Sequence, residues 1–158
     1  KKDFRLLGFL WKITKQDKCL NDYPAKSRIK PEDFWGLKVD ILIPASITDV
    51  IHEKNKDTVK AKIIVEGSNI PMRDEVEDYL HKKGIVIVPD FVANAGGVIS
   101  SYAEYKGYTH EKMFKLVEEK IRKTTEDVLK KSMRYNKNTR QVALEIAKAR
   151  IKKAQKSK

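Results

Sequence analysis

The sequence is poor in the residues from which disulfides, metal centres and membrane spans are built. Its single cysteine, Cys19, can form no internal disulfide and suits a reducing compartment, so a cytoplasmic location is expected. His52, His81 and His110 are the only histidines, and they stand far apart without ligand spacing, so no metal site is expected. No uninterrupted apolar run approaches a membrane span, and no segment has the form of a cleaved signal; no membrane partner is expected. Nowhere do the seven glycines adopt the Gly-x-Gly-x-x-Gly spacing of a dinucleotide fingerprint. The chain opens on Lys1-Lys2-Asp3 with no initiator methionine, which reads as a fragment of something longer.

What is present suits a globular domain. The 158 residues are 41% hydrophobic and 35% charged, enough for a real core beneath a charged surface. A formal net charge of +12 raises the question of a polyanion partner. Its distribution argues against one. In the C-terminal third, lysine and arginine alternate with glutamate at helical spacing, as in Glu118-Glu119-Lys120 with Arg122 and Lys123, the mark of a solvated helix face. No exposed aromatics interleave with the basic residues, and no nucleic-acid partner is expected.

The apolar pattern then alternates between two periods. Phe4 to Leu20 reads as a helix, and Asn21 to Lys30 as a turn-rich connection. Lys30 to Trp35 reads as a short helix opened by Pro31, with Phe34, Trp35 and Leu37 directed inward. Val39 to Pro44 reads as a buried strand, and Thr48 to Lys54 as a short helix. Ala61 to Glu66 is the next strand, Asp74 to Lys83 the next helix with Val76, Tyr79 and Leu80 as its inner stripe, and Ile85 to Val88 a strand buried on both faces. A helix follows with Val98, Ser101, Tyr102 and Tyr105 at recurring positions. Two longer helices close the chain. Glu111 to Met133 has Phe114, Val117, Ile121, Val128 and Leu129 on one face; the second has Val142, Ala143, Ile146, Ala147, Ile151 and Ala154, with Asn138 or Thr139 as its cap.

Strand, helix, strand, helix, strand, helix with short connections predicts an α/β fold, a parallel sheet joined by right-handed crossovers. In such sheets ligands sit beyond the carboxyl ends of the strands. This sequence puts small or amide-bearing residues at each of those ends: Ala45-Ser46, Gly67-Ser68-Asn69 and Ala93-Asn94. After the last comes the pair Gly96-Gly97, which lets backbone approach closely at a helix start with free N–H groups.

Three stretches carry a resemblance: Asp40-Ile41-Leu42-Ile43-Pro44-Ala45, then Lys60 to Asn69, then Pro89-Asp90 and Asn94-Ala95-Gly96-Gly97-Val98 with Ser101-Tyr102 and Glu104. In this order and spacing they resemble the C-terminal part of the glutamate dehydrogenases, within the Glu/Leu/Phe/Val dehydrogenase family. The likeness runs from Tyr23 to Glu104 and continues more weakly through Thr139-Arg140 and Ala143.

The resemblance implies oxidative deamination of L-glutamate to 2-oxoglutarate and ammonia, with NAD or NADP as hydride acceptor. It implies that residues 1–110 form the C-terminal portion of a Rossmann-like NAD(P)-binding domain. Residues 111–158 would be helices that pack on it and towards a missing N-terminal substrate domain, the intact protein being a homohexamer. Ala45, Ser46, Asn69 and Asn94 would then contact the cofactor, the two asparagines offering donors and acceptors to the nicotinamide amide and its ribose. Ser101 matches the family's serine for the substrate side-chain carboxylate. A hydroxyl there suits glutamate and would be left unpaired against an apolar side chain. The family's catalytic aspartate and substrate lysines belong to the missing domain, so no catalytic residue is assigned in this chain, and the chain alone is expected to be inactive. The sequence departs from the family pattern at Ser46 and Ser68, usually alanine, at Ile70, usually glycine, and at Met72-Arg73-Asp74, usually Thr-Thr-Pro. These departures support an alternative, a non-catalytic nucleotide-binding or regulatory module of the same descent.

Overall fold

The computed structural model describes residues 28–156. The helix expected over Phe4 to Leu20, Cys19 and the connection over 21–27 lie outside the described residues. The chain divides into two compact units, residues 1–34 and 35–158. Of the first, the described part is a short stretch that enters a 3-10 turn, Pro31–Gly36. All else described here belongs to the second.

Three short strands form a parallel sheet in the order β1 (Ile41–Leu42), β2 (Ile63–Val65), β3 (Val86–Val88). Ile41 pairs with Ile63 and Leu42 with Ile64; Ile63, Ile64 and Val65 pair with Val86, Ile87 and Val88. The expected parallel α/β sheet is therefore present. Helix α1 (Asp74–Lys82) crosses from β2 to β3, with Asp74, Glu75 and Glu77 in its first turn and His81 and Lys82 in its last, charges that match the helix dipole. After β3 come a single turn of helix, α2 (Asp90–Ala93), then α3 (Gly96–Tyr105), α4 (His110–Tyr135) and α5 (Thr139–Lys156).

Strand alternation sorts the core into two clusters. Leu42, Ile64 and Ile87 join Val76 and Leu80 of α1, together with Ile51, Ala61 and Met72. Val88 meets Val92 of α2, Val128 of α4 and Val142 and Ala143 of α5, with Val65 at the margin. Each fully buried aliphatic side chain stabilises the fold by roughly 1.5–3 kcal/mol. Thr109 accepts the N–H of Lys112 at 3.3 Å and caps α4. Asn138 accepts the N–H of Arg140 at 2.7 Å and caps α5. Asn136 takes the left-handed conformation, φ 48°, that stops α4.

Several expectations are corrected. The segment from Thr48 to Lys54 is a run of turns and bends, because the Asn55 side chain takes its polar groups: Asn55 Nδ2 donates to the Val50 carbonyl and Asn55 Oδ1 accepts the His52 N–H. Strand β1 is buried on one side only: Leu42 is inside, whereas Ile41 and, just past the strand, Ile43 are more than half exposed, because among the described residues that face is left largely uncovered. Val86 of β3 is exposed, while Ile85, Ile87 and Val88 are buried. Of the three residues expected inward near Pro31, only Trp35 packs against the core; Phe34 and Leu37 are exposed, a six-residue turn having room to bury little. Phe114 and Ile151 are also exposed, and α3 turns Val98, Tyr102 and Tyr105 outward while burying Ala103.

Candidate functional site

The loops at the carboxyl ends of the three strands are bound together by their own backbones. The Pro44 carbonyl, just beyond β1, accepts the N–H groups of Gly67 and Ser68, both at 2.9 Å. Asp49 N–H donates to the Ile70 carbonyl and Ile51 N–H to the Pro71 carbonyl, both at 3.0 Å. Gly67 is required by this approach: a Cβ there would lie 3.0 Å from the Ala45 Cβ. The Ser68 hydroxyl reaches the carbonyls of Pro44 and Ile47, each at 3.3 Å, so this departure from alanine adds a link between the loops. Arg73 closes the rim, with Nε and Nη2 each 2.6 Å from an oxygen of Asp49, which holds the Asp49 carboxyl below its usual range.

Ile70 stands at φ 47° in the left-handed region, where the family pattern places glycine. A β-branched residue is strained there. Its conformation is fixed at both ends, by the bond from Asp49 to its carbonyl and by its own N–H, which donates to Asp90 Oδ2 at 2.9 Å.

Asn69 and Asn94 meet. Asn94 Nδ2 donates to Asn69 Oδ1 at 2.7 Å, across the ends of β2 and β3. Among the described residues, Asn69 Nδ2 and Asn94 Oδ1 have no partner, so the pair presents one donor and one acceptor outward. That complement matches a primary carboxamide, which carries one acceptor oxygen and an NH2 group. Ala45 packs against Gly67, two residues before Asn69, and Ser46 is exposed in the bend that follows Ala45. Ser101 lies on α3, exposed, with its hydroxyl donated to the Gly97 carbonyl at 3.1 Å. Of the glycine pair, Gly96 packs close to α4, a Cβ there lying 3.4 Å from Val117 Cγ1, while Gly97 faces open space. The site is a shelf. A concavity of about 650 Å³ nearby, lined by Asp49, His52, Arg73 and Val76 among others, includes none of these five residues.

Behind the shelf lies a buried charge cluster to which the sequence reading gave no role. Arg140, at the start of α5, bonds through Nε to Glu77 and through Nη2 to Glu66 Oε2 at 2.8 Å, with Asp90 Oδ1 at 3.2 Å. Glu66 and Glu77 are fully buried. Burial, reinforced by the charge of Glu77 and opposed by Arg140, pushes the Glu66 carboxyl up to about 8. Burial also raises Glu77, against its bond to Arg140. Burial alone would lower Arg140, but Glu77, Glu66 and Asp90 hold it above its ordinary value. Signals for the cluster were present: Glu66 ends an apolar strand, and Glu77 falls three residues before Leu80 on the inner stripe of α1. An acid in either place needs a partner.

A parallel α/β sheet with short loops at the carboxyl ends of its strands and helices after the last strand defines a Rossmann-like fold. The family model described as Glutamate/Leucine/Phenylalanine/Valine dehydrogenase matches residues 6–158, and the chain belongs to that family. It is 36% identical over 142 residues to the glutamate dehydrogenase of Thermotoga maritima, covering 86% of this chain and 34% of that protein. The chain thus spans about a third of the length of the relatives it matches. Other relatives are an NADP-specific glutamate dehydrogenase of Saccharolobus shibatae, 43% identical over 84 residues (53% of this chain, 20% of that protein), and an NAD-specific one of Clostridioides difficile, 35% identical over 130 (78% and 31%). Among solved structures, L-tryptophan dehydrogenase from Nostoc punctiforme superposes with a TM-score of 0.74 at 31% identity, over 81% of this chain and 39% of that one. The hetero-hexameric glutamate dehydrogenase of Thermus thermophilus superposes at 0.76 over 94% of this chain and 36% of that one; at 22% identity it bears on the fold alone.

Proposed function

We propose that this chain forms the nicotinamide side of the cofactor site in an NAD(P)-dependent glutamate dehydrogenase. The observation that carries the reading is the Asn69–Asn94 pair, whose unspent donor and acceptor suit a carboxamide at the carboxyl ends of parallel strands. A nicotinamide held there would supply the hydride acceptor for the α-carbon of the amino acid. The overall reaction converts L-glutamate, water and the oxidised cofactor into 2-oxoglutarate, ammonium, the reduced cofactor and a proton. Asn69 and Asn94 act by orienting the ring, which is the larger part of what such residues contribute. Ala45 and Ser46 line the same side, and Gly67 keeps that floor low.

Ser101 favours glutamate. Its hydroxyl now donates to Gly97, and a change of side-chain rotamer would direct it to a substrate carboxylate. The rest of the active site, including the groups that move protons, lies outside this chain in this reading, and the intact protein is a homohexamer. The departures at Ser68 and Ile70 do not favour a non-catalytic module: Ser68 links two loops, and Ile70 holds the conformation expected of a glycine.

The test is absorbance at the reduced-nicotinamide band, with glutamate and NAD or NADP in turn. The sample is the intact polypeptide that contains this chain, with the chain alone as control. Activity in the intact polypeptide only is the expected result and fixes the cofactor. Silence in both, with circular dichroism showing a folded protein, would overturn the reading.

A further inference from the structure

Asp90 holds both halves of the asparagine pair. Its carboxylate Oδ2 accepts the Ile70 N–H at 2.9 Å, one residue from Asn69. Its carbonyl accepts the Asn94 N–H at 2.8 Å. Asp90 is itself anchored from below, its N–H donated to Glu66 Oε2 at 2.7 Å, and Arg140 bonds that same oxygen at 2.8 Å. It is buried, whereas Ile70 and Asn69 above it are exposed. The strained left-handed turn at Ile70 is thus held by hydrogen bonds on both sides, from the Asp49 N–H and to the Asp90 carboxylate, while its own side chain is exposed.

We propose that Asp90 is a positioning residue for the cofactor site, holding Ile70 in its left-handed conformation so that Asn69 meets Asn94. The proposal rests on the dehydrogenase reading for its consequence and on geometry alone for its structural content. Two roles for Asp90 make opposite demands. As a charge partner for Arg140 it needs its negative charge, which Glu would keep. As a support for Ile70 it needs an oxygen at the Oδ2 position, which Asn keeps by turning its NH2 towards Arg140 and Glu displaces by a methylene. Arg140 also bonds Glu77 through Nε and Glu66 through Nη2, so loss of the Asp90 charge leaves its guanidinium hydrogen-bonded.

The experiment compares Asp90→Asn with Asp90→Glu in the intact polypeptide. Hydrogen-exchange mass spectrometry without cofactor, on a peptide spanning 67–72, should show that Asp90→Glu accelerates exchange by about tenfold and Asp90→Asn by about twofold. The KM for the nicotinamide cofactor should rise by about the same factors, with the KM for glutamate unmoved. In a double-mutant cycle, Asp90→Glu combined with Asn69→Ala should be no worse than Asn69→Ala alone, because both act on the same contact. Equal effects, the reverse order, additivity, or loss of folding in both variants would overturn the proposal. If wild type oxidises no glutamate while the exchange pattern follows the expected order, the dehydrogenase reading fails and the support of the loop by Asp90 stands.

Discussion

At the scale of single residues, Asn69 and Asn94 offer the sharpest test of the site. Each spends one group of its amide on the other and keeps one for a ligand. Replacing either by alanine removes the ligand group and leaves the partner's amide unpaired. A neutral hydrogen bond is worth about 0.5–1.5 kcal/mol net. Either variant should therefore weaken reduced-cofactor binding by about tenfold, read from the fluorescence of the bound nicotinamide, with thermal unfolding little changed because both sites are at the surface. Undiminished binding in both would remove the pair from the site. Ile70 tests the backbone instead. A residue with a Cβ in the left-handed region costs about 1–2 kcal/mol, and glycine's greater unfolded-state entropy returns roughly half of that. Ile70→Gly should accordingly raise stability by about 0.5–1 kcal/mol in urea titration. A loss of stability would mean that the exposed isoleucine side chain packs more productively than its exposure suggests.

At the scale of elements, the Arg140 cluster ties α5 to β2, α1 and α2. Removing the buried guanidinium leaves Glu77 and Asp90 without their cation and Glu66 Oε2 without one of its donors, so Arg140→Ala should cost about 3–5 kcal/mol in chemical denaturation. The cluster also sets a pH dependence. Glu66 keeps its proton up to about pH 8 in the folded chain, against an ordinary value of 4.5, so between those limits the folded state binds more protons than the unfolded one. Its contribution is complete below 4.5 and is lost as pH rises through 8. The unfolding midpoint should thus fall across this window, and Glu66→Gln, which cannot ionise, should flatten the profile. An unchanged slope in that variant would place the titration elsewhere. The cluster marks the limit of what could be read in advance. The strands and α1 were legible because their apolar residues recur at periods of 2 and 3.6. Arg140 and Glu66 are 74 positions apart, and no local period reports a contact of that range. The turns from Thr48 to Lys54 failed for a related reason, since an apolar spacing that suits a helix is silent about the Asn55 side chain that unmakes it.

At the scale of the whole molecule, the recurrence of strands between helical and turn segments was enough to give the parallel sheet. The covering of the sheet was not legible, because it depends on neighbours. Every residue of the β1 region from Val39 to Pro44 except Asp40 is apolar, the composition of a strand packed on both faces. Yet Ile41 of the edge strand is 53% exposed, and in the loop that follows it Ile43 is 58% and Ile47 71% exposed. Among the described residues no strand pairs with the outer edge of β1, and an open edge beside exposed isoleucines is a template for another strand. In the proposed enzyme another part of the nucleotide-binding domain would cover that edge; in this chain alone a second copy can do so. The isolated chain should therefore associate, its mass by light scattering rising with concentration. Ile41→Lys together with Ile43→Lys should restore a monomer, because charges on an edge oppose pairing and both side chains are already in solvent. An isolated chain that stays monomeric at every concentration would show that the edge is covered from within. An associating chain unaffected by the two lysines would move the contact to another exposed apolar surface, for which the outward stripe of Val98, Tyr102 and Tyr105 on α3 is the next to test.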